Sequence, residues 1–181
     1  MNVVKYLHSL GVNINAQTKL DRTPLSKACY LGNIELTKFL LENKADMMLI
    51  DSNGRTAMHN AAWGRDGGKH GKRRGEIVLD DSPSCVELLL NLGHPIEFPD
   101  EEGNTPLASA SSSNGLDSMK LLMRKGANPN YKNKYNETPL WLACRYGHTD
   151  CAISLIDEFG ANYEIPDNKG MTMLEAAGAY E

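Results

Sequence analysis

The residues of this chain that could carry out chemistry are paired carboxylates, four cysteines and five histidines. Adjacent carboxylates occur in "DDS", which begins at Asp80, and in "DEE", which begins at Asp100. Such pairs can supply a general acid and a general base, provided that their surroundings separate the two roles. Both pairs lie in turn-rich segments, where solvated carboxylates cap the backbone. The carboxylates therefore do not predict a catalytic site.

The cysteines and histidines show no spacing typical of a metal site or a redox pair. Cys29, Cys85, Cys144 and Cys151 form no C-x-x-C motif, and the histidines at 8, 59, 70, 94 and 148 are scattered. The sequence also has no phosphate-binding loop, no G-x-S-x-G and no H-E-x-x-H. We therefore predict reduced cysteines, no metal, no cofactor and no enzymatic activity.

Composition restricts the class of protein further. The chain has 181 residues, 41% of them hydrophobic, and a net charge of -4, which gives no overall reason to expect nucleic acid or an anionic membrane as a partner. No apolar run is long enough to span a bilayer, and the first residues lack the basic start of a signal peptide. We expect a single monomeric domain in the cytoplasm, or in the nucleus.

The elements that position these residues repeat along the chain. One phrase recurs as "DRTPLSKA", "GRTAMHNAA", "GNTPLASA", "NETPLWLA" and "GMTMLEAA". Its threonines, which are Thr23, Thr56, Thr105, Thr138 and Thr172, are spaced by 33, 49, 33 and 34 residues. A second landmark, which includes "GVNIN" at Gly11 and "GANPN" at Gly126, has the same four spacings. Two landmarks that share one period and one exception indicate a duplicated structural unit.

Local chemistry predicts the structure of the unit. The threonine of "TPL" suits the N-cap of a helix, and the proline suits its first turn. An amphipathic run such as "IELTKFLLEN" follows and ends at a glycine suited to a left-handed cap. "DSNG", "DEEG" and "DNKG" between units predict tight turns. Each unit is therefore predicted to be two antiparallel helices with a hairpin-like finger loop.

This order of turn, cap, helices and closing glycine resembles the ankyrin repeat, a unit of about 33 residues with a T-P-L-H-x-A signature. The resemblance implies an all-α solenoid of stacked antiparallel helix pairs, forming one domain over 1–181. Its predicted divisions are a partial repeat at 1–17, repeats at 18–50, 51–99, 100–132 and 133–166, and a partial repeat at 167–181. His59 alone keeps the motif histidine, and Lys44 replaces one closing glycine, which predicts a weaker cap there.

The half repeats at both ends predict that the chain is part of a longer array, because an internal repeat cannot cover its own apolar faces. The 49-residue spacing predicts an insertion at about 65–82. This insertion carries a basic run, Lys69, Lys72, Arg73 and Arg74. One interpretation is a site for nucleic acid or a phosphorylated ligand, or a nuclear-localisation signal, and the other is a solvated loop.

The resemblance also implies that a protein or peptide partner binds the concave surface, where the fingers and first helices lie. The candidate contact residues are Tyr30, Leu31, Arg55, Trp63, Tyr135, Trp141, Arg145 and Tyr146. Tyr, Trp and Arg are the residue types that dominate binding hot spots. Packing of Trp63 or Trp141 between repeats is the alternative, and serines 109 and 111–113 predict a shallow saddle between two aromatic patches. A protein-interaction module, as adaptor, scaffold or substrate recruiter, is the first hypothesis, and a domain that restrains a neighbour in its own parent chain is another.

Overall fold

The computed structural model describes residues 3–64 and 84–178, and this part of the chain contains helices and turns but no strand. The helices are α1 (Val3–Ser9), α2 (Pro24–Tyr30), α3 (Ile34–Glu42), α4 (Ala57–Trp63), α5 (Cys85–Asn91), α6 (Pro106–Ser112), α7 (Leu116–Arg124), α8 (Pro139–Arg145), α9 (Thr149–Asp157) and α10 (Met173–Gly178).

Two layers arise from the way the helices pack. Helices α2, α4, α6, α8 and α10 pack each against the next and form an inner row, and α3, α5, α7 and α9 form an outer row behind them. Within each pair, α2 packs on α3, α4 on α5, α6 on α7 and α8 on α9. The predicted all-α solenoid of stacked helix pairs is therefore confirmed. The repeat boundaries within 1–181 stay a prediction.

The repeated threonines begin the inner helices as N-caps. The Thr23 hydroxyl accepts the Ser26 N–H at 3.0 Å, and the Thr23 N–H donates to the Ser26 hydroxyl at 3.1 Å. In the same way, the Thr56 N–H donates to His59 Nδ1 at 3.2 Å. These reciprocal caps satisfy backbone donors that the first helical turn leaves free.

The core between the helices is made of small and aliphatic side chains. Cys29, Ala62 and Ser111 occupy one repeat position, and each is fully buried. At the end of α4, a Cβ on Gly64 would lie 2.4 Å from the Tyr30 carbonyl oxygen, so only glycine fits between these helix ends. Neighbouring inner helices thus approach closely because the residues between them are small.

The fingers are joined by backbone hydrogen bonds. The Ser52 N–H donates to the Leu20 carbonyl at 3.1 Å, and the Glu101 N–H donates to the Asn53 carbonyl at 3.0 Å. Equivalent bonds join the later fingers, from Lys134 N–H to Glu102 O and from Asn168 N–H to Tyr135 O, both at 2.9 Å. Each finger is therefore held at a fixed position relative to the next.

The closing segments are joined by side chains that bond to the next unit. Asn15 accepts the Asp46 N–H at 2.9 Å, and Asn130 accepts the Asn162 N–H at 2.8 Å. Glu97 occupies the same position in its unit and accepts the Asn128 N–H. These asparagines therefore brace one unit against the next.

At that position the repeat 18–50 has Met48, which offers no comparable acceptor. The residue facing it in the next unit by register is Pro95, which has no N–H to donate. The two exceptions compensate for each other, because the missing acceptor coincides with the missing donor.

Two further sequence predictions concern the neighbouring repeats 18–50 and 51–99. Lys44, in place of a closing glycine, keeps a left-handed backbone with φ of 66° and donates its N–H to the Leu41 carbonyl at 3.0 Å. The cap is thus formed, at the energetic cost that a side chain has in this conformation. The predicted insertion at about 65–82 lies outside the described residues, as do Lys69, Lys72, Arg73 and Arg74.

Candidate functional site

A groove runs along the inner helices and the fingers. Its larger cavity has a volume of about 630 Å³ and lies over α4, α6, α8 and α10. Six of the eight candidate contact residues line it, namely Arg55, Trp63, Tyr135, Trp141, Arg145 and Tyr146. Tyr30 lines a second cavity together with Arg55 and Trp63, and Leu31 is exposed but lines neither.

The aromatic side chains of the groove are accessible to a partner, with one exception. Trp63 is 39% exposed, Tyr146 40% and Tyr135 51%, so part of each side chain faces solvent. Ser109 and Ser112 lie between Trp63 and Tyr146 in the lining of the larger cavity. Exposed rings that lie together along one groove, unlike single exposed rings, can mark an interaction site.

Trp141 is the exception, because it is only 3% exposed. Its backbone N–H is held by the Thr138 cap at 3.1 Å, and the ring packs in the hydrophobic core. This burial agrees with the alternative of packing between repeats and leaves little of Trp141 for a partner to contact, so its role in binding stays a prediction. Trp63 ends its helix one turn further from the cap, where the ring reaches the groove.

Two arginines of the groove lie over these rings. The Arg55 guanidinium carbon is 5.3 Å from the centre of the Trp63 ring. The Arg145 guanidinium carbon is 5.4 Å from the Trp141 ring centre and 5.6 Å from that of Tyr146. Such stacking restricts the arginine while leaving donors free, so less conformational entropy is lost when a ligand binds.

A polar network links these two arginines at the base of the fingers. Arg55 Nε lies 3.5 Å from Asp100 Oδ2, and Arg145 Nη1 donates to Glu137 Oε1 at 2.9 Å. Between the two carboxylates, Asn133 Nδ2 bonds to Asn104 Oδ1 at 2.9 Å and to Glu137 Oε2 at 2.8 Å.

The same network also holds the fingers. Asn104 Nδ2 approaches Asp100 Oδ2 at 3.5 Å, and Asp100, Asn133 and Glu137 are all buried. The carboxylates of Asp100 and Glu137 are thus committed to the fingers and to the arginines. The two guanidinium groups are preorganised as a result.

Behind the groove, two buried histidines share one threonine. The Thr56 hydroxyl lies 3.0 Å from His59 Nδ1 and 3.0 Å from His94 Nε2. His59 Nε2 donates to the Asn104 carbonyl at 3.1 Å, and His94 Nδ1 donates to the Pro95 carbonyl at 2.8 Å. These bonds join the first turn of α4 to the third finger, at Asn104, and to the closing segment that contains His94 and Pro95.

Burial determines the protonation of this pair. Loss of hydration lowers the pKa of His59 to about 4, although the Asn104 carbonyl acts in the opposite direction. Burial also lowers the pKa of His94. Both rings are therefore neutral at physiological pH and act as structural hydrogen-bonding groups.

Metal-ligand clusters and reactive thiols were sought among the described residues. Within residues 3–64 and 84–178, no group of three or more His, Cys, Asp or Glu side chains is placed so that it could hold a metal ion. Burial raises the pKa of the Cys151 thiol to about 11 and also raises that of Cys144, so both lack thiolate character. None of the helices described is long and apolar enough to cross a membrane.

Sequence reasoning did not select Lys27, a cation of the groove. The Lys27 ammonium lies 5.2 Å from the centre of the Tyr30 ring, and it lines the second cavity. The spacing of three residues between Lys27 and Tyr30 on one helix would have indicated this pair. The hydrogen bond between Asn133 and Asn104 had no comparable local signal in the sequence, because the two residues belong to different units.

Comparison with known proteins agrees with this architecture. A family model described as ankyrin repeats, in three copies, matches residues 1–69 and 110–181. The chain is 30% identical over 181 residues to a probable 26S proteasome regulatory subunit, p28, of Saccharomyces cerevisiae, and the match covers 97% of this chain and 72% of the relative.

Two further relatives are also ankyrin proteins by name. A putative ankyrin repeat protein, R664, of Acanthamoeba polyphaga mimivirus is 32% identical over 115 residues, covering 59% of this chain and 70% of the relative. Human rabankyrin-5 is 28% identical over 186 residues, which cover 98% of this chain and 16% of the relative.

Proposed function

The chain belongs to the ankyrin-repeat family, and on that premise we propose that its groove binds a segment of another protein without catalysing a reaction. The observation that carries this proposal is the set of exposed rings with arginines stacked on them, at Trp63 and Tyr146, on either side of a serine-lined floor. Rings and arginines that are already restricted lose little entropy on binding.

We further propose that the module acts as an adaptor, a scaffold or a recruiter of substrates within a longer ankyrin-repeat protein. It would act as a monomer, in the cytoplasm or the nucleus. Binding to a neighbouring domain of the same parent chain would use the same groove. Binding of nucleic acid through the basic insertion is the alternative, and it would show a steep dependence on salt.

A more specific candidate is a role in regulating the proteasome. The observation that favours it is the likeness to the yeast proteasome regulatory subunit, which extends over nearly the whole of this chain. In this case the segment held in the groove belongs to a proteasome subunit.

Affinity capture with groove variants tests the proposal. The tagged chain and the variants Trp63→Ala and Tyr146→Ala are used to capture proteins from an extract of cells that express it, and bound proteins are quantified by mass spectrometry. We expect both variants to lose the proteins that the unmodified chain retains, with unchanged thermal unfolding midpoints, because both rings lie partly outside the core. Recovery of proteasome subunits would support the proposed role in regulating the proteasome.

Two control variants separate binding from folding. Tyr163 is 62% exposed and does not line the groove, so Tyr163→Ala should retain every captured protein. Trp141 is buried, so Trp141→Ala should lower stability by about 3 to 5 kcal/mol. Capture that survives in both Trp63→Ala and Tyr146→Ala would refute the proposed use of the groove.

A further inference from the structure

We infer that the part of the partner lying over α2 and α4 is an acidic protein segment, whose carboxylates bind Arg22, Lys27 and Arg55. This inference rests on the proposed function and specifies the chemistry of its ligand. These three cations and the rings of Tyr30 and Trp63 are called the basic end of the groove.

The basic end surrounds a cavity of its own. This second cavity has a volume of about 340 Å³, and the residues that matter in its lining are Arg22, Lys27, Tyr30, Asp51, Arg55 and Trp63. The side chains of Arg22 and Lys27 are exposed. Across residues 3–64 and 84–178, the ion pairs within 4.0 Å include neither of them. Their charges are therefore available to a ligand.

Two of the cations are held by rings. The Lys27 ammonium lies 5.2 Å from the centre of the Tyr30 ring, and the Arg55 guanidinium carbon lies 5.3 Å from that of Trp63. Both rings are 39% exposed, so each offers an apolar face next to a positive charge. This pairing suits a segment in which carboxylates alternate with apolar side chains.

Arg55 retains donors for such a ligand. Its contact with Asp100 uses Nε, at 3.5 Å, and the contacts made within the described residues leave both terminal nitrogens unused. A carboxylate can therefore be bound by two parallel hydrogen bonds from this guanidinium.

Two buried carboxylates lie next to these cations, Asp51 in the lining of the cavity and Asp100 at 3.5 Å from Arg55 Nε, and both are committed to the fold. Asp51 is 6% exposed, and its Oδ1 accepts the N–H groups of Asn53 at 2.9 Å and Arg55 at 3.1 Å. Three cations thus lie beside two carboxylates that already hold the finger turns. The local charge is positive although the chain as a whole has a net charge of -4.

The third finger determines the direction of the segment. Glu101 and Glu102 are exposed at its tip, and they would repel an acidic segment that continued over α6. Electrostatic complementarity therefore places the acidic part of the partner over α2 and α4. A nucleic acid, with a charge on every phosphate, fits this arrangement less well, because its backbone would pass both signs of charge.

Selection of peptides from a displayed random library on the intact chain tests the inference. We expect enriched peptides to carry net negative charge. The charge reversal Arg22→Glu/Lys27→Glu should weaken a synthetic enriched peptide by about tenfold or more, measured by fluorescence anisotropy. Raising NaCl from about 50 to about 300 mM should also weaken binding, because screening shortens the range of the attraction.

A matched reversal provides the control. Lys38 and Lys125 are exposed on or beside the outer helices α3 and α7, so Lys38→Glu/Lys125→Glu changes the net charge equally and should keep the affinity. Equal losses from the two double variants would show a general charge effect and overturn the inference.

The remaining outcomes separate this inference from the proposed function. Neutral or basic peptides that lose affinity with Trp63→Ala would overturn the acidic segment and leave the groove as a binding site. An absence of enriched peptides, or peptides insensitive to Trp63→Ala, would count against both. Binding of single-stranded oligo(dT) with equal affinity and equal sensitivity to the Arg22→Glu/Lys27→Glu reversal would show a general anion site instead.

Discussion

Acidification is expected to weaken the junction between the second and third helix pairs, where His59 and His94 are buried. The pKa of His59 is about 4 in the folded chain and about 6.5 when the ring is solvated. Between these two values the unfolded chain binds more protons than the folded chain, so stability falls as the pH falls. The contribution of neutral His59 is fully present above about pH 6.5.

The size of the effect follows from the two pKa values. From His59 alone, the free energy of unfolding should fall by about 1.5 kcal/mol at about pH 5.5 and by about 2.5 kcal/mol at about pH 4.5. The pKa of His94 is lowered as well, so its protonation acts in the same direction. Typical domains are stable by about 5 to 15 kcal/mol, so this loss is easily measured.

His59→Ser is the informative variant, because the first unit already has serine at this position. There Ser26 makes both bonds of the reciprocal cap, at 3.0 and 3.1 Å. The variant should lose about 1 to 3 kcal/mol at neutral pH, since the Asn104 carbonyl loses its donor. Its stability should then depend less steeply on pH.

Urea unfolding, followed by circular dichroism at several pH values between about 4.5 and 7.5, measures both slopes. NMR titration of the imidazole protons reports the pKa of His59 directly. Equal slopes for the unmodified chain and His59→Ser, or a His59 pKa near 6.5, would refute the reasoning.

Three further variants test the packing and the polar network. Gly64→Ala should cost about 2 kcal/mol or more in a urea titration, since its Cβ would meet the Tyr30 carbonyl oxygen at 2.4 Å; an unchanged midpoint would mean that the helix ends do not approach this closely. Lys44→Gly should raise the thermal midpoint, with a gain in stability of about 1 kcal/mol, because glycine adopts the left-handed backbone without strain. An unchanged midpoint would show that Lys44 is not strained. Asn133→Ala should cost about 1 to 3 kcal/mol by leaving Glu137 without its amide donor, and a calorimetric change near zero would show that the network carries no stability.

Much of the fold could be predicted because its determinants lie within one unit. A threonine that caps its own helix, as Thr105 does, bonds to a residue three positions away. The amphipathic pattern of α7 and the left-handed turn at Gly126 are equally local. Because these determinants are local, they recur in each unit, and each of the five copies of the threonine phrase predicts a helix start independently.

The candidate site could be predicted only in part. The register of the repeat placed Trp63 and Tyr146 on the groove, and both are exposed there. Trp141 lies three positions after its cap, at the motif-histidine position, and the sequence left open whether it contacts a partner or packs between repeats; the structure buries it. Arg55 was chosen as a hot-spot residue type, whereas its ring platform and its carboxylate partner lie in other segments.

The sequence by itself determined the period and the helix pairs, because the caps, turns and amphipathic faces that define them depend on residues within about ten positions. The face on which the groove lies followed from the resemblance to the ankyrin repeat. Tertiary structure decided which groups are joined across units. Asn133 meets Asn104 from 29 positions away, and His94 meets Thr56 from 38. Such bonds exist only once neighbouring units stack, and the burial that stacking produces also sets the pKa of His59 and holds Arg55 and Arg145 in place.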